Sequence, residues 1–451
     1  MSRLVVDDPS LPVNASLFGY SSYWVGDMNR SATPAVAFSL LVENTDASQP
    51  VDIDFIFTLP FSIEPESARP AGPDDQVVVS TASSPEDCLA QCTASATCAS
   101  WSLDGSGTCN LASSVPFNRY TQGAYSGVKG SFEVDKFPSG SYKGPVCLTL
   151  HRPGTGPAQG GLSACRSFEE NPGSENTVTV STASSMEKLW GAFAADGLQS
   201  GKVTADDPYG AMVVHSKALQ PGEKRVLSIT LGWHYPERSY LEQRVGNYYA
   251  TLRNNSEDAG RELGSELENH VEAITVLHSV FWDAVDGGGL PAWLADTLVN
   301  MLSHVRSAWW EEDGKWRQWE AYDCVNVDSV HNDGERHIPY ISIFPDSTRN
   351  KLLAWGKTQL SNGMIPEQLA CGCTSRIDPG LDKGCGRIMS DVSSMYITYV
   401  LELYKWQNDS ATVQQLWPVV KKAAQWQMNV SAADGTPQHL CNTYMLRIEY
   451  M

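Results

Sequence analysis

The stretch PGEKRVLSITLGWHYP, Pro221 to Pro236, is where the chain changes its hydrophobic period. After the Pro221-Gly222 turn signal, Leu227, Ile229, Leu231 and Trp233 recur at every second residue, the spacing of a strand with one buried face. The same alternation lies upstream, at Val36, Phe38, Leu40 and Val42 and again at Val51, Ile53, Phe55, Phe57 and Leu59. Downstream it stops. Leu263, Leu267, Val271, Ile274, Val280 and Phe281 sit near helical spacing, and the glycines at 287–289 end that segment. A helix is predicted in LPAWLADTLVNMLSHVRSAWW, 290–310, with Trp293, Leu294, Leu298, Met301, Leu302 and Val305 on one face; others are predicted at 391–407 and 412–428. Strands first and helices afterwards predict an α+β multidomain chain, with an N-terminal β-sandwich followed by a helical array.

The strand region is interrupted. SPEDCLAQCTASATCASWSLDGSGTCNL carries Cys88, Cys92, Cys98 and Cys109 in a Gly/Ser-rich segment. With no Cys-x-x-Cys pair and no paired histidine, disulfides are favoured over zinc. The order of these residues, closing on SGVKG, is similar to a PAN/apple module, which implies a protein or glycan ligand. The expected division is 1–77 and 132–236 for the sandwich, 78–131 for the insert, 237–289 for linker helices and 290–451 for the helical domain. VSTASS occurs at 79–84 and again at 180–185, and marks an insertion more than a repeat architecture. The Gly-, Pro- and Ser-rich residues 150–178 read as a loop.

Composition narrows the function classes. The 451 residues include 32 basic and 52 acidic side chains, a net charge of -20, which argues against nucleic acid or an anionic membrane surface as partner. No run reaches the ~18 apolar residues of a membrane-spanning helix. Sequons at Asn14, Asn29, Asn254, Asn408 and Asn429, with the cysteine cluster, predict a secreted or extracytosolic protein, although no signal segment is seen. A cytosolic, membrane-associated protein is the alternative. No Gly-rich phosphate loop and no Gly-x-Ser-x-Gly elbow occurs. Cys371, Cys373 and Cys385, with Cys324 and Cys441, fit disulfides or buried thiols better than a metal site, and His331 and His337 fit structural or supporting roles. No metal and no cofactor is expected.

Carboxylate chemistry remains. WRQWEAYDCVNVDSVHNDGERH, 316–337, holds Glu320, Asp323, Asp328, Asp333 and Glu335, and Glu320 is flanked by Trp316, Trp319 and Tyr322, aromatic faces on which a sugar could lie. Glycosidic hydrolysis needs two carboxylates across the anomeric carbon.

Several collinear segments resemble glycoside hydrolase family 116, the β-glucosidases that include non-lysosomal glucosylceramidases. They are WGAFAADG at 190–197, WHYP at 233–236, NYYATL at 247–252, LPAWLADTLVNMLSHV at 290–305, WEAYDC at 319–324, GMIPEQL at 363–369, LWPVVKKAAQW at 416–426 and NTY at 442–444. The resemblance implies a sandwich packed on an (α/α)6 toroid and a retaining mechanism without cofactor. Its substrate would be a β-glucoside or glycosphingolipid. It places the nucleophile at Glu320 and sugar contacts at Asp328, Glu367 and Thr443. Three departures stand out. Glu320-Ala321 replaces Glu-Gly, Glu367 stands for a sugar-binding histidine, and Met445 occupies the place of the acid/base aspartate. Residues 290–451 suffice for about half a toroid, so the chain reads as a truncated and inactive enzyme; a non-catalytic glycan- or protein-binding protein is the alternative.

Overall fold

The computed structural model describes the chain apart from residues 1, 7, 60–63, 69–76, 114–118, 129–130, 135–140, 143–145, 153–159, 167–175, 206, 241–242, 301–307, 322–323, 372–379 and 437–451. It forms two compact units: Met1–Tyr23, Ser31–Glu237 and Tyr249–Glu272 make one, and Trp24–Arg30, Arg238–Tyr248 and Ala273–Met451 the other.

Two of the antiparallel sheets of the first unit enclose its main core, and a further five-stranded one carries the cysteine-rich segment. Seven strands run in the order Ser2–Val6, Val13–Ser21, Ala35–Asn44, Lys224–His234, Gly160–Arg166, Val146–Arg152 and Ser131–Val134. Four run in the order Ser141–Tyr142, Thr177–Ala183, Tyr209–Leu219 and Val51–Leu59. Leu148, Leu150, Leu227 and Ile229 of the larger sheet share one buried cluster with Leu59, Val178, Val180, Met212 and Val214 of the smaller. Each such side chain contributes about 1.5–3 kcal/mol by leaving water.

Residues 150–178 are not simply a loop, because Gly160–Arg166 is a central strand between Lys224–His234 and Val146–Arg152. Its small residues have a packing reason. Helix Ser256–Ser265, capped by Asn255, lies against it, so a Cβ at Gly161 would meet the Ser256 side chain at 3.0 Å. On the neighbouring strand a Cβ at Gly232 would fall 2.2 Å from the Ser256 carbonyl oxygen and 2.6 Å from the Gly260 nitrogen. Cys147 and Cys165, opposed across the two strands, form a disulfide.

The cysteine-rich segment closes through Cys88–Cys109 and Cys92–Cys98. Its helix, Pro85–Ala94, packs with Trp101 and Leu111 in a core that continues into Leu189, Tyr209 and Val213 of the same unit. Both copies of VSTASS end a strand and start a helix. Ser84 accepts from the Asp87 amide and Ser185 from the Lys188 amide, each capping the helix that follows.

In the second unit, helices Asp333–Ile343, Pro345–Lys357, Val392–Gln407 and Ser410–Asn429 surround Leu352, Trp355, Tyr396, Val400, Leu403 and Leu416. The helix predicted over 290–310 is described as Ala292–Asn300, while Ala308–Trp310 is a strand. That strand opens a four-stranded sheet continued by Trp316–Ala321, Cys324–Val327 and Ala370–Cys371. Among the described residues no helix is long and apolar enough to cross a membrane.

Candidate active site

Glu320 lies near the end of strand Trp316–Ala321. Its pairing with Cys324–Val327 slips by one residue between Trp319–Val327 and Ala321–Cys324, so that Val325 and Asn326 together oppose Glu320 and the bulge lies on the partner strand. A bulge removes ladder bonds and re-aims a side chain. Arg336 donates from Nη1 to the Trp319 carbonyl and from Nη2 to the Glu320 carbonyl, both at 3.2 Å.

The Glu320 side chain is 20% exposed. Its Oε2 accepts from Asn326 Nδ2 at 2.5 Å and from Gln368 Nε2 at 3.1 Å. Its Oε1 faces His331 Nε2 at 3.7 Å. The His331 imidazole, with the Asn326 and Asn332 amides, holds the Glu320 carboxyl below the usual carboxylate range, against the opposing effect of burial. A carboxylate kept ionised and partly open can act as a nucleophile.

The structure brings Glu367 to the same place. It is buried, its Oε1 lies 3.8 Å from His331 Nδ1, and it accepts from the Arg387 backbone at 2.6 Å and from Arg387 Nη2 at 2.9 Å. His331 therefore stands between two carboxylates.

Asp328 is placed differently. Its side chain has no exposed surface, whereas a ligand of sugar hydroxyls has to be reached by them. It holds a left-handed backbone (φ 49°), accepts from the Gln318 amide at 3.0 Å, and lies 3.7 Å from Lys351 Nζ and 4.0 Å from Arg317 Nη1. Around it, Arg317 pairs with Glu311 at 3.2 Å and Asp382 at 2.7 Å, and Lys351 with Asp333 at 2.9 Å. Burial pushes the Asp328 carboxyl up to about 7, with Lys351 and Arg317 pulling the other way. Thr443 and Met445 lie outside the described residues.

The aromatic residues beside Glu320 are engaged in packing. Trp319 points to the other face of the strand, against Trp309 and Tyr240 with ring centroids 4.5 and 5.9 Å away. Trp316 meets Tyr340 edge-on at 6.2 Å. The side chain of Tyr322 is outside the described residues. His337 lies over Tyr399 at 4.4 Å, and burial pushes its imidazole down to about 4.

Asn326, Gln368 and Arg387 went unnoticed in the sequence. Gln368 sits inside GMIPEQL, and Asn326 follows Glu320 across the hairpin, but amides carry no motif of their own. Among the described residues no three His, Cys, Asp or Glu side chains converge as a metal site requires.

A family model described as beta-glucosidase 2, glycosyl-hydrolase family 116, N-terminal domain, matches residues 1–273, more than half of the chain. The match ends one residue beyond the last segment of the first unit, Tyr249–Glu272. No curated protein matches. Among solved structures, a bacterial glucoamylase complexed with acarbose is similar at a TM-score of 0.25 and 11% identity, over 74% of this chain and 53% of its own. The chain thus spans about half of that structure, and at this score the likeness decides nothing about the fold. By its first 273 residues, the chain belongs to glycoside hydrolase family 116.

Proposed function

We propose that this is a retaining glycoside hydrolase of β-glucosidase type, with Glu320 as the nucleophile. The observation that carries the reading is the Glu320 carboxylate, ionised, partly open, and gripped through one oxygen while the other faces His331. Oε1 would attack the anomeric carbon to give a glycosyl-enzyme ester, which water then hydrolyses. Glu367 would bind sugar hydroxyls from the far side of His331. Asp328, closed off by Arg317 and Lys351, would act by fixing the turn that carries His331. Thr443 keeps its proposed place at the sugar. Substrates would be β-glucosides, including glycosphingolipids, in an oxidising extracytosolic compartment, which the four disulfides among the described residues fit. The two sheets would be the family's sandwich, the helices of the second unit about half of an (α/α)6 toroid, and the cysteine-rich insert an apple-like module for a glycan or protein.

Methionine at 445 gives no proton, so ordinary glucosides would leave unassisted, slower by about 10²- to 10⁴-fold. The test therefore uses a leaving group that needs no acid. 2,4-Dinitrophenyl 2-deoxy-2-fluoro-β-glucoside should release dinitrophenolate once and leave a fluoroglucosyl ester, which peptide mass spectrometry should locate on Glu320. An adduct elsewhere, an undiminished adduct in Glu320→Gln, or no adduct on the folded protein would overturn the reading.

A further inference from the structure

Asn326 and Gln368, which donate to Glu320 Oε2, both adjoin one disulfide. Cys371 is fully buried and bonded to Cys385. Asn326 is the cross-strand partner of Cys371 in the small sheet. Gln368 is held by both half-cystines: it exchanges backbone hydrogen bonds with Cys385 at 3.1 and 3.0 Å, and its Oε1 lies 2.9 Å from Cys371 Sγ. Neither amide has freedom to wander, since Asn326 is fully buried and Gln368 is 1% exposed.

We infer that Asn326 and Gln368 are positioning residues that lock Glu320 Oε2, and that the Cys371–Cys385 disulfide is the frame that sets both; this rests on the reading of Glu320 as nucleophile. The chemistry follows from the two oxygens being unlike. A carboxylate attacks through one oxygen, and the productive orbital direction is kept only if the other is pinned. The Asn326 and Gln368 amides hold Oε2, while Oε1 faces His331 on the side from which the reacting carbon would be met. The donors also keep the carboxylate ionised, as hydrogen bonds to a charged form do. The arrangement makes the nucleophile sensitive to redox state. When a dithiol reductant supplies two electrons and two protons, the disulfide becomes two thiols and the reductant a cyclic disulfide. Strand Ala370–Cys371, which pairs with Asn326 and follows Gln368 in sequence, then loses its covalent tie to the Cys385 segment.

The experiment follows the rate of fluoroglucosyl adduct formation against inactivator concentration and pH, in wild type, Gln368→Ala, Gln368→Glu and dithiothreitol-treated wild type. In Gln368→Ala the maximal inactivation rate should fall about tenfold or more, with the half-saturating concentration little changed. The acid limb of the pH profile should move to higher pH, because a donor to the ionised form is gone. Gln368→Glu should move that limb further, by setting a second carboxylate beside Oε2. Reduction should lower the maximal rate in wild type but have much less effect in Gln368→Ala. An adduct on wild-type Glu320 with rate and pH limb unchanged in both variants overturns the inference and leaves the proposed function standing. An adduct rate indifferent to reduction overturns the part assigned to the disulfide. Absence of any wild-type adduct on Glu320 removes the function and the inference together.

Discussion

The imidazole of His331 lies 3.7 Å from Glu320 Oε1 through Nε2 and 3.8 Å from Glu367 Oε1 through Nδ1. It is the largest influence holding the Glu320 carboxyl down. In His331→Ala that carboxyl should therefore be protonated at higher pH than in wild type. Adduct formation should drop several-fold near pH 5 and little near pH 8. A uniform drop across the pH range would mean that His331 acts through packing alone.

Asp328 makes a prediction about stability. Its folded pKa is raised from 3.8 to about 7, so the native state holds a proton that the unfolded chain releases. The stability it contributes is full below the unfolded value and is lost as pH rises toward 7, at about 1.4 kcal/mol per pH unit for one proton. Asp328→Asn should flatten this part of the profile for the second unit. Hydrogen exchange read separately in each unit is the suitable measurement, since a chain of two units need not unfold in one step. An unchanged slope in the Asn variant would exclude Asp328 as its source.

Gly232 has no room for a side chain. An added methyl would enter the backbone of helix Ser256–Ser265. Gly232→Ala should destabilise the first unit by about 3 kcal/mol, visible as lost exchange protection in Lys224–His234 and in the helix together. Retained protection would mean that the helix can shift at little cost.

The repeated hexapeptide offers a matched pair. Ser84→Ala and Ser185→Ala each remove a side-chain acceptor at a helix start and should each cost about 1 kcal/mol. Opening Cys88–Cys109 should cost the cysteine-rich segment about 3 kcal/mol, as expected for a loop of its length. Limited proteolysis would report both. Equal resistance in the Ser variants and wild type would show that the caps contribute nothing measurable.

Much of the secondary structure was legible, because it is local. Alternation at Leu227 and Ile229 is a property of consecutive residues, and those side chains do turn into the buried cluster of the first unit. Helical spacing fell close to the helices Val392–Gln407 and Ser410–Asn429. The strand Gly160–Arg166 was missed because its apolar signal is weak. Its glycines and small residues answer to a helix almost a hundred positions later, which no local window contains.

At the candidate site the division is sharper. Sequence alone determined that a carboxylate, Glu320, stands at a position similar to a known nucleophile, and which acids and histidines follow it. Only the tertiary structure decided what surrounds it. The strand alternation turned Trp319 away, the burial of Arg317 and Lys351 closed off Asp328, and the Cys371–Cys385 disulfide brought Gln368 to Oε2. Identity and spacing are written in the chain, but the ionisation and aim of a carboxylate depend on neighbours within a few ångströms, and those neighbours arrive from distant positions only when the chain folds.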